Sequence, residues 1–153
     1  MTRLSDLPPG LAHHLTELEC PSYDTSPWAE GLPLSERRVA VVSTAGLHRR
    51  GDTPFALGAH DYRIIDGDLP SSEIVMSHIS TNFDRTGFQQ DINVVFPIDR
   101  LRELAETKTI GSVAAFHYSF MGATAPDAFA STVKTLAPLL KRDGVNAVLL
   151  APV

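Results

Sequence analysis

Gly144-Val145-Asn146-Ala147-Val148-Leu149-Leu150-Ala151-Pro152-Val153 closes the sequence, and the fold class follows from how this stretch is read. An apolar run of this length, entered through Asp143-Gly144 after a helical pattern, has the form of a central parallel strand with both faces covered. Val113 to Ser119 reads as a second such strand. Val39 to Thr44, ending in Ala45-Gly46, reads as a third, and Glu73 to Ser80 as a fourth. Two helical patterns lie between them. One begins near Pro97, where the missing proline N–H costs nothing. It places Ile98, Leu101, Leu104 and Ala105 on one face and Arg100, Arg102, Glu103 and Glu106 away from it, and Gly111 is expected to end it. The other begins near Pro126, carries Phe129, Val133, Leu136 and Leu140 on one side, and is expected to bend at Pro138. Gly144 caps it. Alternating strands and helices with right-handed crossovers predict an α/β domain with a doubly wound parallel sheet, of Rossmann or flavodoxin type.

From Leu47 to Ser72 no helical period appears. Tyr62 to Ile65 is one candidate strand, so this connection predicts a loop with a hairpin rather than a crossover helix. Residues 1–36 are rich in proline and short polar residues and predict an extended arm, with a helical turn or two around Leu11 to Leu18. Trp28 is expected to pin the arm by burying its ring. The domain proper is expected over residues 37–153.

Over 153 residues the formal charge is −5 and the hydrophobic share 43%, which suits one domain with a real core. Mild acidity argues against non-specific nucleic-acid binding, which needs clustered Lys and Arg; Arg37-Arg38 and Arg49-Arg50 read as solvated charges. No apolar run approaches the ~20 residues of a membrane span, and the stretch from Met1 to Pro8 lacks the apolar core of a signal peptide. The single Cys20 excludes an internal disulfide and fits a reducing compartment, so a cytoplasmic protein with no membrane partner is expected. Cys20 would act as a nucleophile only if a basic neighbour lowered its pKa; an apolar filler is the plainer reading.

If the strands are parallel, their carboxyl ends gather four segments at one rim: Thr44 to His48, Ser77 to Arg85, His117 to Gly122, and Val153. Ligands and chemistry collect at such rims. His78 and His117 are candidate general acids or bases, with the alternative that each bonds a backbone carbonyl in its loop. Asp84 and Arg85 either fix a carboxylate substrate or form a plain surface ion pair. Thr44 and Gly46 would bring backbone N–H groups to an anion, and Asn82, Ser119 and Gly122 complete the candidate substrate contacts. A metal enzyme built on His48, His78 and His117 is a further reading, since neutral imidazole suits zinc or iron. No helical His pair or His-Glu-x-x-His supports it, so no metal ligands are assigned. No phosphate-binding glycine motif and no Gly-x-Ser-x-Gly elbow is present.

Val39 to Asp52 (VAVVSTAGLHRRGD), Ser77 to Leu101, Ile110 to Gly122 and Asp143 to Val153 resemble the glycine/sarcosine/betaine reductase selenoprotein B family, with its D-proline reductase relatives. The resemblance covers roughly residues 34–153. Phe96-Pro97-Ile98-Asp99-Arg100-Leu101 and His117-Tyr118-Ser119-Phe120-Met121-Gly122 are its most specific parts. It implies a reductase that cleaves a carbon–nitrogen bond of a small amino acid or amine. A selenocysteine or cysteine in a U/C-x-x-C motif would be the nucleophile, and a thiol redox partner would resolve the selenide. That motif is expected directly after the strand matching Asn146 to Val153, beyond the last residue of this sequence; translation stopped at a UGA codon meant for selenocysteine would give such an ending. His78, Asp84, Arg85, His117 and Ser119 would then position a small carboxylate substrate or move protons. A non-catalytic binding or assembly module using the same rim is the alternative. With no helix after it, the last strand leaves apolar surface uncovered, and a homodimer or higher oligomer is expected.

Overall fold

The structure is a computed structural model and describes all residues except 1, 2, 18, 20, 21, 23, 27 and 81–84. The expectation for Cys20 therefore lies outside the described residues. The chain divides into two compact units, Met1–Glu30 and Gly31–Val153. In the first, α1 (Pro9–Thr16) opens with proline at its first position and buries none of its residues. Trp28 is 89% exposed, so the expected burial of its ring is not found. The short and polar residues beside it (Ser26, Ala29, Glu30) offer no apolar wall.

The second unit is built on β1 (Arg38–Ser43), whose valine-rich run favours a strand. A strand has two edges. On one, β1 pairs in parallel first with β5 (Ser112–Val113) and then with β6 (Phe116–Ser119); on the other it pairs in parallel with β7 (Ala147–Ala151). β3 (Arg63–Asp66) continues the sheet beyond β6 and runs antiparallel to it. The sheet is thus mixed, not wholly parallel. Glu73 to Ser80 does not enter it: β4 (Ile74–Met76) pairs antiparallel with β2 (Leu47–Arg49) in a separate two-stranded sheet. The hairpin expected within residues 47–72 is replaced by these two longer-range pairings. Short strands carry little register information of their own, so the partner is chosen by tertiary packing.

Side chains alternate across β1. Val39 and Val41 pack with Phe96 and with Ile98 and Leu101 of α3 (Ile98–Glu106). Val42 packs on the other face with Tyr118, Phe120 and Leu136 of α4 (Ala130–Arg142). The two helices therefore cover opposite faces. Leu104 of α3 and Val133 of α4, both expected in these interfaces, stay exposed; each helix is short and touches the sheet along a narrow stripe. α3 ends at Glu106, before Gly111, because Lys108 takes the left-handed conformation (φ 58°) that turns the chain. A further short helix, α2 (Thr86–Gln90), follows the β4 loop.

Gly144, φ +70°, ends α4 as expected. Its N–H donates to Lys141 O at 3.0 Å and that of Val145 to Leu140 O at 3.0 Å, a Schellman closure that satisfies two orphan carbonyls. β7 is the main correction to the strand reading. Among the described strands it lies at the edge of the sheet, and its faces are not both covered: Val148, Leu149 and Leu150 are all exposed, Leu150 reaching 69%. Among the described residues no helix is long and apolar enough to cross a membrane.

Candidate functional site

Thr44 follows β1 directly, and each of its polar groups has a partner. Its N–H donates to Ala151 O at 3.1 Å, and its carbonyl accepts from the Gly122 N–H at 2.8 Å. Its hydroxyl accepts the Val153 N–H at 2.8 Å and donates to the Val153 carbonyl at 3.2 Å. Gly122, three residues past β6, sits so tightly here that a β-carbon would overlap the Val153 carbonyl. That carbon would also lie 2.8 Å from the Thr44 carbonyl and 3.0 Å from His78 Nε2. The segments leaving β1, β4, β6 and β7 therefore meet at one point.

Gly46 is held at φ +66° with the His78 backbone about 3 Å from where a β-carbon would stand. Its N–H donates to Phe120 O at 2.8 Å and its carbonyl accepts from Ser77 N–H at 2.9 Å. The N–H groups of Thr44 and Gly46 are both committed to backbone carbonyls, so this structure does not present them to an anion.

His78 is buried, 4% exposed, and its Nδ1 accepts the Ser80 N–H at 3.2 Å. That bond assigns the proton of the neutral ring to Nε2, the atom facing the junction. Burial lowers its pKa, and the Arg85 guanidinium lowers it further. At neutral pH His78 is an uncharged imidazole, able to donate through Nε2 or to take a proton, with no standing positive charge. Arg85 bonds the backbone carbonyls of His78 and Ser80, so its guanidinium braces the loop carrying His78. Asn82 and Asp84 lie outside the described residues.

His117 is not at the rim. It is fully buried on the α3 face, its Nδ1 accepts the Val41 N–H at 3.0 Å, and its ring stands edge-on to Phe96 with centroids 5.5 Å apart. Its Nε2 has no hydrogen-bond partner among the described residues. Burial, and to a lesser degree Arg102, pulls its pKa down to about 4. The period of two explains the correction: His117 and Ser119 share the inward face of β6, and only the chain beyond Ser119 reaches the rim. Ser119 is likewise fully buried, its hydroxyl accepting the Leu47 N–H at 2.8 Å. His48 lies on β2, buried, with Nδ1 2.9 Å from Arg49 O. Among the described residues no three His, Cys, Asp or Glu side chains gather as metal ligands.

The sequence reading missed the pair that sets the frame below the rim. Arg38 Nη2 lies 2.5 Å from Asp143 Oδ1, while Asp143 Oδ2 accepts the N–H groups of Ala115 at 2.8 Å and Phe116 at 3.1 Å. Burial pushes the Asp143 carboxyl up, but Arg38 and the two N–H groups outweigh it and hold the pKa below the usual carboxylate range. The available signal was an Asp immediately before the capping glycine. A hollow of about 430 Å³ opens elsewhere, between Ser71-Ser72 and Gln89 to Asn93, and contains none of the rim residues.

The profile of the family described as glycine/sarcosine/betaine reductase selenoprotein B matches residues 11–153. D-proline reductase subunit gamma of Acetoanaerobium sticklandii is 37% identical over 120 residues, covering 76% of this chain and 49% of that protein. Glycine reductase complex component B subunit gamma of Carboxydothermus hydrogenoformans is 29% identical over 143 residues, covering 88% of this chain and 32% of its own length. Betaine reductase complex component B subunit beta of Peptoclostridium acidaminophilum is 30% identical over 141 residues, with the same two coverages of 88% and 32%. The chain thus spans about half the length of the first of these relatives and about a third of the other two. No solved structure matches it. A profile match over most of the sequence, on the segments that build the rim and its supports, leads to one conclusion: the chain belongs to the glycine/sarcosine/betaine reductase selenoprotein B family.

Proposed function

We propose that this chain forms part of a reductase that cleaves the carbon–nitrogen bond of a small amino acid or amine, with the selenocysteine or cysteine nucleophile on the segment that follows Val153. The observation that carries the reading is the junction at Gly122, where the Val153 carbonyl, the Thr44 carbonyl and His78 Nε2 crowd one point. β7 runs to that point, so an atom placed just after it would lie beside His78. A neutral imidazole donating through Nε2 would hydrogen-bond a selenolate or thiolate there and handle the proton that accompanies cleavage. Asp84, Arg85 and Asn82, which follow His78 in the sequence, are the proposed contacts to a small carboxylate or amine substrate. Buried His117 and Ser119 hold the frame, and Thr44, Gly46 and Gly122 shape the junction. Relatives named for D-proline, glycine and betaine support a small amino acid or amine as the substrate class of this reading. A thiol redox partner regenerates the nucleophile. In this reading residues 1–36 serve as an arm to the domain at 37–153, whose sheet belongs to a larger doubly wound one, and the protein works in the cytoplasm.

Two measurements test this. The coding DNA past the Val153 codon is expected to hold an in-frame UGA or cysteine codon followed by x-x-Cys; an ordinary stop with no continuing frame removes the placement. The chain carried past Val153 by a Cys-x-x-Cys segment is then assayed with D-proline, glycine and betaine and a dithiol donor. Turnover of one of them, abolished by His78→Phe, is expected. Absence of turnover with all three favours the second reading, a non-catalytic assembly module, for which the exposed Val148, Leu149 and Leu150 speak.

A further inference from the structure

We infer that Thr44 is a positioning residue that aims the polypeptide leaving β7, and is not a substrate contact; this rests on the placement of the nucleophile proposed above. Three observations carry it. The Thr44 hydroxyl is engaged twice by one residue, accepting the Val153 N–H and donating to the Val153 carbonyl. Fixing both ends of one residue fixes the peptide plane that follows, and with it the direction in which the next residue departs. The backbone of Thr44 is engaged as well, by Ala151 on one side and Gly122 on the other, so the hydroxyl is anchored to the sheet and to the loop beneath His78. Finally, the space the Val153 carbonyl occupies exists because residue 122 lacks a β-carbon. A hydroxyl already holding two backbone groups has little capacity left for a ligand. Its methyl group and β-branching suit a fixed rotamer, which is what a clamp needs.

The consequence is chemical. A nucleophile must stand within about 3–3.5 Å of the atom it attacks and in line with it, and an error of about 1 Å can cost a hundredfold in rate. Valine at position 44 keeps the shape and removes the clamp, whereas serine keeps the hydroxyl. In the chain ending at Val153, amide hydrogen exchange is expected to be about tenfold faster at Val153 in Thr44→Val, and near the wild-type rate in Thr44→Ser. Equal protection of Val153 in wild type and Thr44→Val overturns the inference. The second arm uses the chain extended by Cys-x-x-Ser, with Cys20→Ser throughout so that one thiol remains, and measures iodoacetamide alkylation of that thiol against pH. The midpoint is expected below the ordinary thiol value of about 8.5 in the parent and in Thr44→Ser, and near about 8.5 in Thr44→Val. A midpoint unmoved by Thr44→Val overturns the aiming role even if exchange changes. This arm needs no turnover, so an inactive extended chain would sink the proposed reaction while leaving Thr44 to be judged by exchange and alkylation. Where turnover is present, Thr44→Val is expected to lower kcat by up to about a hundredfold with KM little changed, and Thr44→Ser to restore it.

Discussion

Gly122 and His117 show how a single side chain, absent or present, sets the local physics. A β-carbon at 122 would press on two backbone carbonyls, which cannot swing aside as a flexible side chain would. Gly122→Ala is therefore expected to destabilise the second unit by about 1–3 kcal/mol, as overpacking does, read as a lower urea midpoint at unchanged slope. His117 acts through its charge. Its folded pKa of about 4 lies below the ordinary value of 6.5, so the unfolded chain takes up a proton there before the folded chain does. The stabilisation is fully present above pH 6.5 and is lost as pH falls toward 4, by up to about 3 kcal/mol. His78, also lowered, adds to the same slope. The urea midpoint is expected to drop between pH 6.5 and 4, and to drop less in His117→Asn, whose side-chain oxygen can still accept the Val41 N–H. An unchanged pH slope in that variant would remove the assignment.

The stretch from Val113 to Ser119 reads as one strand in sequence and is divided between β5 and β6 in the structure. β1 meets β5 at Arg38 and Val39 and meets β6 only from Val42 onward. In the gap, the N–H of Val41 goes to His117, and those of Ala115 and Phe116 go to the Asp143 carboxylate. Side chains here replace ladder bonds, since buried N–H groups must find partners. Asp143 thus joins the end of α4 to the break in the strand and to Arg38. Asp143→Ala leaves two N–H groups without their acceptor and takes the carboxylate from the Arg38 guanidinium, which keeps the Asp143 and Val113 carbonyls, and is expected to cost about 2–4 kcal/mol. Faster amide exchange should be concentrated at Ala115 and Phe116. Loss spread evenly over the unit, with no local signature, would show that the carboxylate does not hold the break.

The five-stranded sheet, with β5 and β6 end to end along one edge of β1, carries α3 on one face and α4 on the other, and a helix about 10 Å across covers only about two strands spaced near 4.8 Å. β7 is left with apolar side chains exposed and, among the described strands, no neighbour on its outer edge. Such an edge associates. The chain is expected to self-associate at micromolar concentration by light scattering, and Leu150→Lys to shift it toward monomer without changing its circular dichroism; a monomeric parent would refute this. The α/β class, β1, β7, the start of α3 at Ile98 and the glycine stop of α4 were legible along the chain, because period, proline starts and glycine caps are local signals. So was the gathering of Thr44, His78, Gly122 and Val153, although by a partly mistaken route, since β4 reaches the rim from outside the main sheet. The pairing of β2 with β4, the antiparallel run of β3, the edge position of β7 and the withdrawal of His117 into the core were not legible. Each is a choice of neighbour among segments far apart in the chain. That choice is made by the burial and hydrogen bonding of the folded whole, which no window of sequence contains.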